Sequence, residues 1–194
     1  MTNPDSKLYE FAFRGLLAEE ALDRSGRKNR RMLDLDDEEI ANSLALDSLD
    51  DIHVANAKSM SIVYMAIAAF ESSVRSLVRK TLIEKYKEEW WEKGASNGVR
   101  ERAKKRMEDE QNAKWHSQRG QDALNYTTFG DLKNIMQNNW DSFEDLIGNL
   151  AWASSIFEVI ERSRNVIMHS GSLEREDIER LGVNIRDWVK QVGA

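Results

Sequence analysis

Apolar residues recur at three- and four-residue spacing through most of this chain, the period of an amphipathic helix rather than of a strand. The longest such run extends from about Ile52 to Trp91 without proline or glycine, with Val63, Ile67, Phe70, Val74 and Leu77 on one stripe. Upstream, Leu8, Phe11, Ala12, Leu16 and Leu22 predict a helix over residues 6–23, broken at Ser25-Gly26. Residues 36–49 predict a shorter one with Ile40, Leu44 and Leu46–Leu49 inward, and the helix dipole favours its acidic start.

Gly94 and Gly98 close the long helix, and residues 99–118 follow as a charged, exposed helix with Met107 and Trp115 as isolated apolar points. Thr128 and Asp131 have capping-box spacing and open a helix over Phe129–Asn138 carrying Leu132, Ile135 and Met136. Asp141 and Glu144 predict a second cap. The helix it opens tolerates Gly148 at a cost of ~1 kcal/mol and ends at Ser170-Gly171, with Gly171 as the left-handed cap. A last helix over Glu174–Val192 turns Ile178, Leu181, Ile185, Trp188 and Val189 inward. The pattern predicts an all-α fold, an antiparallel helical bundle over 58–194 preceded by an N-terminal helical extension over 1–57.

Composition sharpens this. The 194 residues include a single proline, Pro4, which suits helices, whose interiors exclude proline. There is no cysteine, so disulfides and thiolate zinc sites are excluded. No continuous run reaches the ~18–20 apolar residues of a membrane span, and the start MTNPDSKLYE lacks a signal-peptide pattern. The expectation is a cytoplasmic protein with no membrane partner.

The net charge of −6 argues against a generically basic nucleic-acid binder, but the charge is uneven. Residues 24–31, RSGRKNRR, hold five basic side chains and no acid, whereas 32–57 hold eight acids and no Lys or Arg. Arg27, Lys28, Arg30 and Arg31 are weak candidates for RNA contacts; a flexible basic loop explains them equally. In a second, mixed but basic stretch over Arg100–Arg119, Arg100, Arg102, Lys104, Lys105 and Arg106 could guide RNA, but the interleaved acids favour a solvated helix face. His53 and His116 read as surface residues, and Tyr126 and Trp140 as packing groups. Trp90 and Trp91 are adjacent and cannot both face one core, which puts one of them at an interface.

One position breaks the helical pattern. In ERSRNVIMHSGS (161–172), Arg164 lies on the seam that runs through Leu150, Ala153, Phe157, Ile160, Ile167 and Met168. A charge at the centre of an apolar arc needs a partner. Arg164, Asn165 and His169 form R-N-x-x-x-H, in which Asn165 and His169 share a face while Arg164 points about 140° away from His169. A second copy of the helix in a two-fold dimer would bring the groups together. Imidazole ordinarily titrates near neutrality and can take a proton from a ribose 2′-hydroxyl. A guanidinium can hold a phosphate in bidentate fashion. The spacing invokes no metal and no cofactor. The bland alternative is an arginine paired with Glu161 or Glu71 beside a histidine that closes a helix, and three fixed letters do not decide between them. Glu71 and Arg75 are themselves four apart on the long helix. They read either as an ordinary pair or as supporting groups with Glu71 holding Arg164.

Beyond these three residues, AFESSVRSLVRKTL (69–82), EEWW (88–91), LNYTTFGDLKNIMQNNW (124–140) and RNVIMH (164–169) follow one another in an order that resembles the HEPN superfamily, most closely its Swt1-type branch. The resemblance covers roughly 58–190. It implies a dimerising all-α bundle with Arg164 and His169 catalytic and Asn165 supporting. The implied activity is metal-independent cleavage of RNA that leaves a 2′,3′-cyclic phosphate and a 5′-hydroxyl. It further implies use as a toxin or in defence against phage, with a neutralising antitoxin or a defence-system protein as partner. Other members are catalytically silent modules for protein or nucleotide binding.

Overall fold

The computed structural model describes residues 36–193, and 13–15, 17, 18 and 21 upstream of them. The helix expected over 6–23 and the basic residues Arg27, Lys28, Arg30 and Arg31 fall largely or wholly outside the described residues. By compactness the chain divides into two units, 1–50 and 51–194. The first contains helix α1 (Asp37–Ser43). Asp36 accepts from the backbone N–H groups of Glu38 and Glu39, and Glu39 accepts from that of Asp36, a complete capping box. Ala45 turns left-handed at φ 52°, and a single 3₁₀ turn, Leu46–Ser48, follows. Leu44, Leu46 and Leu49 are exposed, not inward as the spacing predicts.

The second unit is all-helical, with no strand among the described residues. Its axis is α2 (Asp51–Tyr86), which buries Met60, Val63, Ile67, Phe70, Val74, Val78 and Leu82. The stripe continues through Val78 rather than Leu77, which is only partly buried. Lys87, at φ 57°, interrupts the predicted continuation to Trp91. A 3₁₀ turn (Lys87–Glu89) and the short α3 (Trp90–Gly94) then fold back on α2. Gly94 is required there, because a Cβ would lie 2.7 Å from a Leu82 methyl. Trp90 and Trp91 both pack partly buried against the core with their rings 5.7 Å apart, so adjacency does not keep one of them off it.

Four further helices close the bundle: α4 (Asn97–Asn112), α5 (Phe129–Asn138), α6 (Trp140–Ile147) and α7 (Leu150–Met168), with α8 (Arg175–Val192) completing it. Gly148, at φ 71°, ends α6, and Asn149 caps α7 by accepting from Ala151 and Trp152. The single helix expected across Gly148 is therefore two. Asp141 bonds Lys85 of α2 instead of forming the expected cap. Phe70 of α2, Phe129 of α5, Phe157 of α7 and Trp188 of α8 meet with ring centroids 5.2–6.4 Å apart. Leu181 and Trp188 are the buried positions of α8, while Ile178 and Val189, expected inward, are exposed.

The absence of an apolar run of membrane-spanning length needs correction. The helical stretch Asp51–Gly94 contains an 18-residue window of mean hydropathy 1.3, long and apolar enough to cross a membrane, and 28% of it is buried. Glu71, Arg75 and several serines interrupt the apolar residues of this helix, which hides the window from a search for unbroken runs. Ile52, Ile62 and Met65 lie exposed in this part of α2.

The connection from α4 to α5 is held by the Thr128–Asp131 capping box, present in both halves. The same Asp131 carboxylate, almost wholly buried, accepts from Arg102 Nη2 at 2.6 Å and from Arg106 Nη1 at 2.9 Å. Arg102 and Arg106 are therefore anchored to α5, not to solvent as their interleaved charges suggest. Burial pushes the Asp131 carboxyl up, but hydrogen bonds from Arg106, Arg102 and Thr128 outweigh it and hold the group below its ordinary value. Its contribution to stability is thus complete above the ordinary aspartate range and is lost as pH falls through the lowered folded-state value. Asp131→Asn should destabilise the fold by about 1–3 kcal/mol at pH 7, less than a fully buried pair costs because Arg102 is half exposed. In urea titrations, the gap between wild type and variant should start to shrink below about pH 4.

Candidate functional site

The end of α7 places the R-N-x-x-x-H residues. His169 is the C-cap, and its N–H donates to the Asn165 and Val166 carbonyls. Ser170, at φ 62°, is the left-handed residue. Its N–H donates to the Ile167 carbonyl and that of Gly171 to the Val166 carbonyl, the paired bonds of a Schellman motif. Gly171 is thus not the left-handed cap the sequence suggests. It is required for close approach, because a Cβ would lie 2.8 Å from Val166 Cγ1 and 2.9 Å from the Val166 carbonyl oxygen.

The buried face of α7 consists of Ala153, Ile156, Phe157, Ile160 and Ser163. Arg164 therefore flanks the seam instead of occupying its centre. Its side chain is 41% exposed, with Nε 3.9 Å from Glu71 Oε2. Met168, beyond it, is exposed too. Glu71 also accepts from Arg75 Nη2 at 2.6 Å, so one carboxylate on α2 faces two guanidiniums. Arg75 further donates to the Leu124 and Thr127 carbonyls, which tie α2 to the turn before α5. Neutralised on one side by Glu71, Arg164 keeps a part-exposed edge for a ligand.

Arg164 opens onto a cavity of about 230 Å³, shared with Glu71, Arg75, Arg106, Arg119 and Glu161. Asn165 and His169 instead face an open groove of about 650 Å³ with Glu158, Glu161 and Arg162. Glu161 borders both. Within one chain, then, the guanidinium and the imidazole look into different spaces, as their separation around the helix requires. Among the described residues, no side chain bonds the His169 imidazole or the Asn165 amide.

Arg119 is the functional candidate that sequence reasoning missed. It reaches the cavity from the loop after α4, with its guanidinium carbon 5.4 Å over the Tyr126 ring and Nε 2.6 Å from Glu110. No local spacing signals this, because Arg119 joins the site through a loop that returns to α2 and α7. Tyr126 is fully buried and donates to the Gly120 carbonyl; burial, then the Glu110 carboxylate, pushes its phenol up. Elsewhere, Arg100 bonds Asn97 and the Glu92 carbonyl, and Lys104 pairs with Glu108, so neither turns to the cavity. His53 is exposed, as is His116, whose Nδ1 lies 2.9 Å from the Ser117 carbonyl. Among the described residues, no three His, Asp or Glu side chains are grouped as metal ligands.

The model of the Swt1-like HEPN family matches residues 65–193, more than half of the chain, and the chain belongs to that family. Membership is consistent with a ribonuclease-like function and with RNA as ligand. No match was found among curated proteins or among solved structures.

The helix end gives a test of opposite signs. Gly171→Ala should lower stability by about 1–3 kcal/mol, since the added methyl meets the Val166 backbone. Ser170→Gly should raise it by up to about 1 kcal/mol by relieving the left-handed serine. Chemical denaturation of both variants measures the two shifts.

Proposed function

We propose that this protein is a metal-independent HEPN endoribonuclease whose active site is completed by a second copy of the chain. The observation that carries the reading is the division of its polar groups: Arg164 faces the smaller cavity while Asn165 and His169 face the open groove. A two-fold mate laid along the groove would supply the missing group from its own α7. The exposed Glu158 and Arg162 favour such pairing, because a two-fold axis sets the acid of one copy against the base of the other.

In this reading an imidazole from His169 takes the proton of a ribose 2′-hydroxyl, and the 2′-oxygen attacks phosphorus. The P–O5′ bond breaks and the 5′-oxygen receives a proton from an imidazolium, leaving a 2′,3′-cyclic phosphate and a 5′-hydroxyl. Arg164 stabilises the charge on the pentacoordinate phosphorus, with Glu71 and Arg75 holding it in place. Asn165 orients His169 or a phosphate oxygen. The proposal extends to use as a toxin or in phage defence in the cytoplasm, held in check by an antitoxin or defence-system partner. A silent module for protein or nucleotide binding is the competing reading, favoured by the net charge of −6.

Purified protein in EDTA should cleave total RNA and tRNA to cyclic-phosphate ends. His169→Ala should reduce the rate about 10²–10⁴-fold and Arg164→Ala about 10²–10³-fold, with both variants folded and dimeric by light scattering. Equal cleavage by all three proteins rejects the assignment of these residues, and cleavage by a strict monomer rejects the composite site.

A further inference from the structure

The cavity beside Arg164 gathers guanidiniums from other elements of the fold as well. Four guanidiniums line it, from Arg75, Arg106, Arg119 and Arg164, against the two carboxylates of Glu71 and Glu161. Arg75 is committed to Glu71 and two backbone carbonyls, and Arg106 to Asp131 and the Tyr126 carbonyl. Arg119 differs. Its pairing with Glu110 runs through Nε at 2.6 Å, its side chain is 54% exposed, and the Tyr126 ring supports the guanidinium from one face. Its terminal Nη donors make no hydrogen bond to another described residue, and the buried Tyr126 ring backs the group they belong to.

The volume narrows the class of ligand. At about 230 Å³ the cavity is smaller than the ~300–1,000 Å³ that drug-sized molecules occupy, and its lining is charged rather than apolar. A tetrahedral phosphodiester fits this chemistry, since guanidinium forks match its oxygens. Because Arg164 lines the same cavity, a phosphate held by Arg119 belongs to the strand that Arg164 also grips.

We propose that Arg119, supported by Tyr126, forms a subsite for an RNA phosphate that flanks the scissile one, so that single-stranded RNA enters along the loop between α4 and α5. The identity of the ligand as RNA rests on the nuclease reading; the anion site itself rests on the arginines. Arg119 acts here as a binding and positioning residue, remote from the proton transfers of His169.

The test is fluorescence anisotropy with a labelled single-stranded RNA 12-mer and full-length His169→Ala, which binds without cutting. Adding Arg119→Ala should weaken binding several-fold to about tenfold and flatten the dependence of log affinity on log salt by ~0.7, the share of one phosphate contact on a single strand. Arg119→Lys should restore the salt slope, while Arg175→Ala, which removes an exposed charge outside the cavity, should leave both quantities near those of His169→Ala. Thermal melts establish that each variant is folded. An Arg119→Ala affinity and slope equal to those of the Arg175→Ala control overturns the subsite, whatever the cleavage assay shows. Arg119-dependent binding without cleavage by wild type retains the subsite and removes the nuclease reading. Displacement of the RNA by millimolar free nucleotide at equal ionic strength would overturn the assignment to a strand and give the cavity to a small phosphate ligand. Failure of the starting protein to bind RNA removes both.

Discussion

A buried carboxylate on α5 organises the half of the bundle that carries the site. Asp131 closes its own capping box with Thr128 and receives Arg102 and Arg106 from α4. Removing an aspartate from water is costly, and in this fold the cost is offset by several hydrogen bonds converging on two oxygens. The consequence reaches beyond stability. With Arg106 held by Asp131 and the Tyr126 carbonyl, the 3₁₀ turn Ala123–Tyr126 is held between α4 and α2, where Arg75 takes its Leu124 carbonyl. Of the arginines in the cavity wall, Arg106 is thus set by this acid, while Arg75 and Arg164 face Glu71 and Arg119 pairs with Glu110.

The second constraint is the pitch of α7. His169 lies five positions after Arg164, and a helix turns them to different sides. Packing decides which side each faces. Ser163, Ile160 and Phe157 take the core, leaving Arg164 at its margin against Glu71, while Asn165 and His169 stay on the outer face. A partial charge balance at Arg164 and an unpartnered imidazole across the helix are what a site shared between two chains would require of each chain alone.

Much of this was legible in the residues. Apolar spacing of three and four marked α2, α5 and α8, because a helix packed on one side must repeat its apolar residues with its own period. The Thr128–Asp131 cap was visible because its hydrogen bonds span only three residues. Glu71 and Arg75 were readable as a pair for the same reason, and Glu71 as a holder of Arg164 came from chemistry, since an arginine near a seam asks for an acid. Less local features were not legible. Arg102 and Arg106 looked solvated among neighbouring acids, yet their partner lies more than twenty residues ahead. Arg119 showed only as the end of a mixed basic stretch, with nothing to single it out. Gly148 and Gly171 were seen but misassigned, since composition shows that a glycine is present without showing whether conformation or close approach requires it.

The sequence by itself determined the helical class, the order and approximate extent of the helices in the second unit, and the residues with chemistry to offer. These depend on interactions within one or two turns, where spacing along the chain is spacing in space. Only the tertiary structure decided that Arg164 sits beside the core seam with Glu71 between it and Arg75. It alone divided Arg164 and His169 between a cavity and a groove, and it alone brought Arg119 to the cavity from a distant loop. Each of these follows from how whole helices pack against one another, and that information is spread over the core rather than written at the residues concerned.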